Sequence, residues 1–324
     1  MTSQVAVIGC GHWGKNLIRN FSELGALFAI CDSDKKLAKK VSDEYQTPSL
    51  DFEDILDSEC EGIVIAAPAS LHAFFAIRAL NASKHVFVEK PLAMTIEDAE
   101  SILLAASRSN RRLMVGHLLQ YHPAFLALQE KIKIGYLGEL KYIYSNRLSF
   151  GKIRSEEDVI WSFAPHDISM ILSLVESEIS SVFCKASSLL QKNISDMATI
   201  YLEFSNGLKS HISCSWINPS KEQRLVIYGE KAMAIFDDTK DWNEKLKIYP
   251  LEMDKDLLLP ILKKDDALSI SLNETEPLKL ECSYFLDLME GLVPDRTNGL
   301  EGLSVLKVLT AASSSLNTGR IIHA

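Results

Sequence analysis

Three glycines near the start of the chain, Gly9, Gly11 and Gly14, have a spacing that can hold phosphates. They follow an apolar segment that predicts a strand, and they precede a segment that predicts a helix. The first glycine would allow a tight turn, the second a close approach to a pyrophosphate, and the third close packing of helix and strand. The free N–H groups of the helix would bind the phosphates. We predict a dinucleotide site here, although a glycine-rich turn without a ligand has the same spacing.

Asp32 ends the second predicted strand, at the point where an acidic side chain can accept hydrogen bonds from a ribose. Because a carboxylate there repels a 2′-phosphate, NAD is favoured over NADP, while Lys35 and Lys36 leave NADP open as the less favoured cofactor. Two other interpretations remain. Asp32 could cap the following helix, and the glycines with an acidic residue could hold a methyl donor instead.

Lys90 is the first candidate catalytic residue. It follows the fourth predicted strand and precedes Pro91, which restricts its backbone and lacks an N–H donor. The segment 66–72 leaves the third predicted strand in the same way. Ligands of open α/β sheets bind at the carboxyl ends of the strands, so this turn can aim the Lys90 ammonium at a ligand. A solvated surface lysine is the alternative.

Alternating strands and helices position these residues in the first third of the chain. They are predicted at residues 4–8, 13–24, 27–31, 35–45, 62–67, 70–81, 85–89, 95–109 and 112–116. Uniformly apolar strands separated by helices indicate a doubly wound parallel sheet. The length of 324 residues suits about two domains.

From about residue 120, strand-like segments that alternate polar and apolar residues follow one another. They are predicted at 140–150, 181–189, 197–204, 208–216, 223–228 and 231–236, with closing helices at 281–292 and 301–316. This pattern indicates an open, mainly antiparallel sheet. We therefore predict an α/β protein with a Rossmann domain at 1–119 and an α+β domain for substrate binding and oligomerisation at 120–324. The last helix could pack back on the Rossmann domain.

Composition excludes several classes of function. With 43 acidic and 34 basic side chains the net charge is −9, which argues against a protein that binds nucleic acid. We find neither a secretory signal nor a membrane-spanning segment, and expect a cytoplasmic protein without a membrane partner. The six cysteines are isolated, and no Cys/His cluster predicts a metal site.

Three motifs in order resemble the signature of the Gfo/Idh/MocA oxidoreductases: the glycines, an Ala-Pro-x-x-x-His segment at 67–72, and Glu-Lys-Pro at 89–91. The closing segment from Glu276 to Arg320 is also similar, so the resemblance covers the whole chain. It implies a Rossmann domain, NAD as cofactor and a catalytic or substrate-positioning role for the motif lysine. The cofactor-binding residues that it implies are Gly9, Gly11, His12, Trp13, Gly14, Asp32, Ala67, Pro68, His72, Glu89, Lys90 and Trp161.

A second motif of that family carries a histidine between two aspartates. Here His166 matches the histidine, while Ser162 and Ser169 stand in place of the aspartates. We expect His166 at the start of a helix, where it is suited to proton transfer because the ordinary pKa of a histidine is near 6.5. A capping or packing histidine is the alternative. The resemblance makes His166 the second catalytic candidate. Without the acid at 162, Lys90 could share the role of base.

One branch of the family, the UDP-N-acetyl-2-amino-2-deoxy-D-glucuronate 3-dehydrogenases, resembles this chain more closely, through 117–125, 144–148, 151–154 and 161–167. It implies NAD-dependent oxidation of C3 of a UDP-sugar for a bacterial surface polysaccharide, by a homodimer or homotetramer. Other sugars, keto-sugars or inositol remain alternative substrates. A non-catalytic NAD-sensing regulator is an alternative function. The candidate substrate-binding residues are Lys90, Tyr121, Arg147, Lys152, Arg154, Ser162 and His166. Tyr121 and His122 could line the sugar pocket or could equally be packing residues. A solvated basic edge is the alternative for the three cations Arg147, Lys152 and Arg154.

Overall fold

A computed structural model describes residues 3–151, 153–155, 157–253, 260–262 and 267–323. The chain divides into two compact units. The first contains the residues up to Tyr121 together with Thr275–Leu306, and the second contains His122–Glu274 together with the residues from Lys307 onward. The predicted domain boundary between residues 119 and 120 stays a prediction.

The first unit is built on a parallel sheet of five strands in the order β2-β1-β3-β4-β5. The strands are β1 (Val5–Ile8), β2 (Leu27–Cys31), β3 (Gly62–Ile65), β4 (His85–Glu89) and β5 (Leu113–Gly116). The helices between them are α1 (Gly14–Glu23), α2 (Lys35–Tyr45), α3 (Phe52–Asp57), α4 (His72–Asn81) and α5 (Ile96–Ser109). The strand order reverses between β1 and β3, which is where ligands bind in such sheets. The doubly wound sheet is confirmed, whereas α3 was not predicted.

The second unit carries a sheet of ten strands, of which only the pair β6–β9 is parallel among the strands that the structure describes. Its elements begin with α6 (Pro123–Lys133), β6 (Leu140–Phe150), α7 (Val159–Leu174), β7 (Ile179–Ser187), β8 (Met197–Phe204), β9 (Lys209–Ser215) and β10 (Ile217–Gly229). They continue with β11 (Ala232–Asp237), β12 (Leu246–Met253), β13 (Pro260–Leu262) and β14 (Leu268–Ser269). The order is β13-β12-β11-β10-β6-β9-β8-β7 followed by the last strand of the chain, with β14 beside β12. The mainly antiparallel sheet is confirmed.

The alternation in β8 shows how one face of this sheet is buried. Ala198, Ile200, Leu202 and Phe204 are buried, while Met197 and Tyr201 on the other face are exposed. Helix α7 packs against β6, β8 and β9. β8 and β9 pair as an antiparallel hairpin, and Gly207 in the turn has φ of 86°. The predicted Asn206-Gly207 turn is thus confirmed, since the turn needs a positive φ that glycine adopts readily.

The closing segment contains α8 (Pro277–Met289), α9 (Gly299–Thr318) and β15 (Ile322–His323). The prediction placed α8 at 281–292, four residues too late at its start. Pro277 occupies the first turn, where its missing N–H is not needed. Leu278, Cys282 and Phe285 pack into the apolar core of the first unit beside Phe21 and Phe87. No helix of the described residues is long and apolar enough to cross a membrane.

A buried ion pair joins β6 to α7 inside the second unit. Arg147 Nε lies 2.6 Å from Asp167 Oδ2, and Arg147 Nη2 lies 3.1 Å from Asp167 Oδ1. Ser145 Oγ donates to the same carboxylate at 2.5 Å. The Arg147 and Asp167 side chains are only 11% and 1% exposed. Removing one partner of such a pair leaves the other charge buried and uncompensated.

We expect Arg147→Met to lower the free energy of unfolding by about 3–5 kcal/mol, because it leaves the buried Asp167 charge without its partner. Urea denaturation followed by circular dichroism measures this. Arg154→Met is the control, because Arg154 pairs with Glu157 at the surface, with 46% and 33% of the side chains exposed. Such a pair contributes about 0–1 kcal/mol. Equal losses for both variants would contradict the structural role of Arg147.

Candidate functional site

The glycine loop between β1 and α1 has the shape that the spacing predicts. Gly9 has φ of 101°, and a Cβ atom on it would lie 2.6 Å from the carbonyl oxygen of Ala66. A Cβ atom on Gly14 would lie 1.9 Å from the carbonyl oxygen of Gly9. By contrast, a Cβ atom on Gly11 would meet nothing within 4 Å. Two glycines are therefore required by close packing, and the third faces open space that a ligand can occupy.

The N-terminus of α1 suits an anion. Trp13 is the N-cap residue and makes no side-chain capping bond, and the first turn contains no acidic residue. The first-turn amides are therefore not capped by a side chain, and no nearby carboxylate repels a phosphate. His12 and Trp13 are exposed beside Gly11. These features fit the pyrophosphate of a dinucleotide, as predicted for the loop.

Asp32, directly after β2, forms a hydrogen bond with the glycine loop. Its Oδ2 accepts the backbone N–H of Cys10 at 2.6 Å, and its Oδ1 accepts that of Asp34 at 2.8 Å. Asp34 caps α2, so the alternative reading of Asp32 as the cap is wrong. Each carboxylate oxygen has a further lone pair for a ribose hydroxyl. Lys35 forms an exposed ion pair with Asp51.

His72 contacts both of the turns that follow β3 and β4. Its ring nitrogens Nδ1 and Nε2 lie 2.8 Å from the carbonyl oxygen of Pro91 and 2.9 Å from that of Ala67. The side chain is buried, and burial lowers its pKa, so the ring is neutral and donates to one carbonyl at a time. We infer that His72 holds the two turns together. Pro68, beside Ala67, is exposed.

Glu89, the last residue of β4, is buried between the glycine loop and Lys90. The Trp13 indole N–H donates to Glu89 Oε1, and the Lys90 backbone N–H donates to Glu89 Oε2 at 3.3 Å. Burial raises the pKa of Glu89 to about 7, against the opposing effects of Trp13, Lys90 and His117. Lys90 is half-buried and is joined to Pro91 by a cis peptide bond. The Glu89 carboxyl group thus links two other predicted site residues, Trp13 and Lys90.

Three further residues of the first unit were not predicted as site residues. His117 follows β5, and its Nδ1 lies 2.6 Å from Glu301 Oε2. Gln120 Nε2 donates to the other Glu301 oxygen at 3.0 Å. The one available signal was the position of His117 at the carboxyl end of a parallel strand. Glu301 gave no such signal, because it lies 184 residues away in the sequence.

The second unit holds the other predicted catalytic residue, on α7. Asp158 caps this helix through the backbone N–H groups of Ile160 and Trp161. His166 lies midway along the helix, directly after Pro165, so its predicted place at the start of a helix is wrong. Ser162 is buried one turn earlier. The Trp161 indole N–H donates to Ser313 Oγ at 3.1 Å and is therefore already engaged.

The three predicted cations of the substrate site differ in their surroundings. Arg147 is held by Asp167 inside the unit, so the structure corrects its assignment as a substrate ligand. Arg154 is exposed, and its Nη1 lies 2.6 Å from Glu157 Oε1. Lys152 lies outside the described residues. Arg154 keeps a place in the candidate site, because a surface ion pair is weak enough for a phosphate to replace Glu157.

The two predicted pocket aromatics are packing residues, which corrects the assignment of Tyr121 as a substrate ligand. Tyr121 is 1% exposed in the core of the first unit, and its hydroxyl lies 2.8 Å from Thr297 Oγ1. His122 is 2% exposed in the second unit. Its Nδ1 accepts the backbone N–H of Ala124 at 3.0 Å and caps α6. Buried side chains with their polar atoms engaged are not available to a sugar.

Two family models match the chain. The model described as "Oxidoreductase family, NAD-binding Rossmann fold" matches residues 3–117. The model of the GFO/IDH/MocA C-terminal domain matches residues 125–235. The two matches follow the division into a parallel and a mainly antiparallel sheet.

Individual relatives include dehydrogenases of two kinds. The UDP-N-acetylglucosamine 3-dehydrogenase of Acidithiobacillus ferrooxidans is 26% identical over 304 residues, 94% of each chain. The inositol 2-dehydrogenase of Salmonella typhimurium is 25% identical over 251 residues, 72% of this chain and 74% of the relative. The WlbA dehydrogenase of Bordetella pertussis, solved with NADH and UDP-GlcNAcA, has a TM-score of 0.80 at 20% identity and covers 100% of this chain and 99% of its own. That last likeness concerns the fold.

The glycine loop fits a dinucleotide, and the matching models cover both sheets. Two of the relatives in sequence are dehydrogenases, one of UDP-N-acetylglucosamine and one of inositol. The first unit contains the NAD-binding Rossmann domain, and the chain belongs to the Gfo/Idh/MocA family of oxidoreductases.

Proposed function

We propose that this oxidoreductase oxidises the C3 hydroxyl of a UDP-linked N-acetylglucosamine sugar with NAD. The observation that carries the proposal is the position of Lys90, half-buried at the end of β4 beside Glu89 and the glycine loop. The substrate class is supported by the relative from Acidithiobacillus ferrooxidans, which spans 94% of both chains. The uronate form of the sugar, implied by the sequence resemblance, belongs to the same class.

In the proposed reaction Lys90 first releases its ammonium proton to solvent and then accepts the proton of the sugar hydroxyl. Bound NAD supplies the hydride acceptor. Proton transfer by a positioned side chain contributes roughly 10²–10⁴-fold to the rate. His166 of the second unit is the second proposed catalytic group, and the buried Ser162 precedes it by one helical turn. The contact between His72 and the Pro91 carbonyl oxygen stabilises the turn that carries Lys90.

The diphosphate of a UDP-sugar needs cationic partners in the second unit. We propose Arg154 and Lys152 for this role, and no longer Arg147. Arg154 is 46% exposed, and its partner Glu157 is 33% exposed. A diphosphate carries more charge than one carboxylate and accepts two N–H bonds from a guanidinium, so it can displace Glu157.

Inositol is the second candidate substrate. The observation in its favour is the Salmonella typhimurium relative, an inositol 2-dehydrogenase at 25% identity. An inositol has no phosphate, so an enzyme of this kind needs no exposed cation near the sugar site. The proposed role of Arg154 therefore separates the two candidates.

NADH formation with a panel of substrates tests the proposed function. We expect turnover with UDP-N-acetylglucosamine or its 6-carboxylate, and none with myo-inositol or free N-acetylglucosamine, because the free compounds lack the diphosphate. Absorbance at the NADH band gives the rates. Oxidation of myo-inositol with both UDP-sugars inert would contradict the proposal and favour the second candidate.

Lys90→Met removes the proposed base while keeping an unbranched side chain. We expect turnover to fall by about 10²–10⁴-fold, the usual contribution of a positioned acid or base. NADH affinity, measured by fluorescence titration, should change little. Lys36→Met, at an exposed lysine on α2, is the matched control. Turnover of Lys90→Met near that of Lys36→Met would rule out the assigned role.

We also propose that the chain forms a homo-oligomer through the open face of the second unit's sheet. Aromatic side chains run across five strands of this face: Phe183, Tyr201, His211, Tyr144, Tyr142 and Tyr228. Tyr144 stacks on His211 with a ring separation of 5.3 Å and an interplanar angle of 7°. A second copy would bury Tyr201, which is 47% exposed. A contiguous aromatic surface of this kind is typical of protein interfaces.

Light scattering after size-exclusion chromatography tests the oligomer. We expect a dimer or tetramer for the wild type and a smaller assembly for Tyr201→Glu, since a buried unpaired charge opposes association. Leu104→Glu is the control, because Leu104 is 51% exposed on α5 of the first unit. A monomeric wild type, or an unchanged mass for Tyr201→Glu, would contradict this interface.

A further inference from the structure

A cavity of about 590 Å³ lies in the first unit at the amino ends of β4 and β5. It is lined by His85, the first residue of β4, and by Leu113, the first residue of β5, among others. The glycine loop and Lys90 follow the carboxyl ends of their strands, so they lie at the opposite edge of the parallel sheet. The volume is within the range of about 300–1,000 Å³ that is typical of small-molecule sites. The proposed reaction does not use this cavity.

A backbone contact fixes the position of the hydrogen on the His85 ring. The Arg112 backbone N–H donates to His85 Nδ1 at 3.0 Å, so Nδ1 carries the lone pair. His85 is 9% exposed, and burial lowers the pKa of its ring to about 4. The charges of Arg111 and Arg112 act in the same direction, while Glu61 opposes them. The ring is therefore neutral at neutral pH, and its one N–H group is at Nε2.

Two hydrogen-bond donors therefore face each other in the lining of the cavity. Arg111 Nη1 lies 3.2 Å from His85 Nε2, and a guanidinium group has no acceptor. Neither group can accept the hydrogen of the other, so the pair lacks the acceptor that a buried donor needs. Because both residues line the cavity, an oxygen atom of a ligand there can accept from both.

The charges around the cavity leave one cation unbalanced. Arg112 is paired with Asp295, with 3.2 Å between Nη1 and Oδ2. Arg111 forms no ion pair with any residue that the structure describes. A monovalent anion balances this charge, whereas a phosphate dianion exceeds it. A neighbouring cavity of about 320 Å³ also reaches Arg111, but Glu59 and Glu61 line it and disfavour an anion there.

We propose that the larger cavity binds an organic carboxylate, which accepts hydrogen bonds from His85 Nε2 and from the Arg111 guanidinium. Leu103, Leu113 and Met289 line the same cavity and provide an apolar surface for the body of the ligand. A carboxylate with an apolar body thus satisfies the two donors, balances the charge and covers the apolar lining.

Isothermal titration calorimetry with benzoate, a monovalent carboxylate with an apolar ring, tests the site. The whole protein is saturated with NADH and no sugar is added, so failure of this test is separate from failure of the proposed function. We expect the wild type to bind benzoate, and to bind it more tightly than inorganic phosphate. Absence of benzoate binding, or tighter binding of phosphate, would overturn the proposal.

Arg111→Gln shows whether benzoate binds at this cavity. We expect its affinity for benzoate to fall about 10-fold or more, because a charge-assisted hydrogen bond is lost. Arg108→Gln is the matched control and should keep the affinity of the wild type, since Arg108 is exposed on α5 and does not line the cavity. Equal affinities in the two variants would contradict the site.

The His85 ring gives a second test, which uses the wild-type protein. In long-range ¹H–¹⁵N spectra of ¹⁵N-histidine-labelled protein, the His85 signals are those missing in His85→Gln. We expect the Nε2–H tautomer at neutral pH and a shift of the Nε2 signal when benzoate is added. An Nδ1–H tautomer, or signals that benzoate leaves unchanged, would overturn the assignment of His85 as a ligand-binding donor.

Discussion

The site of the first unit depends on the hydrogen bonds of the Glu89 carboxyl group, which is buried at the end of β4. Trp13 donates to one of its oxygens and the Lys90 backbone to the other. The carboxyl group therefore connects the glycine loop after β1 with the turn at Lys90 after β4. An acid in this position must be paired or protonated. Two N–H groups pair with it, while burial raises its pKa to about 7 and favours the neutral acid.

The second unit uses a related arrangement for a different purpose. Asp167 is as deeply buried as Glu89, but it is bound by Arg147 and Ser145 and serves to hold α7 on the sheet. His166, the adjacent residue, takes its place on the helix from that attachment. Two residues that look alike as cations in the sequence, Arg147 and Arg154, thus have different roles, because only the first lies opposite a buried acid.

The sequence predictions that succeeded depend on local sequence patterns. The glycine turn after β1 and the Asn206-Gly207 turn depend on backbone geometry within a few residues, and the structure agrees with both. The failures depend on contacts between distant segments. Nothing near Arg147 indicates Asp167, and nothing near His117 indicates Glu301, which is 184 residues away. Tyr121 appeared available for a sugar because burial cannot be read from a single aromatic residue.

We propose that the chain removes a hydride from C3 of a UDP-linked N-acetylglucosamine sugar. A sugar with deuterium at C3 tests this transfer, with mass spectrometry of the reduced cofactor as the measurement. We expect one deuterium in the reduced cofactor and a slower rate with the labelled sugar. Reduced cofactor without deuterium would contradict the proposed transfer, since the hydride would then come from another carbon.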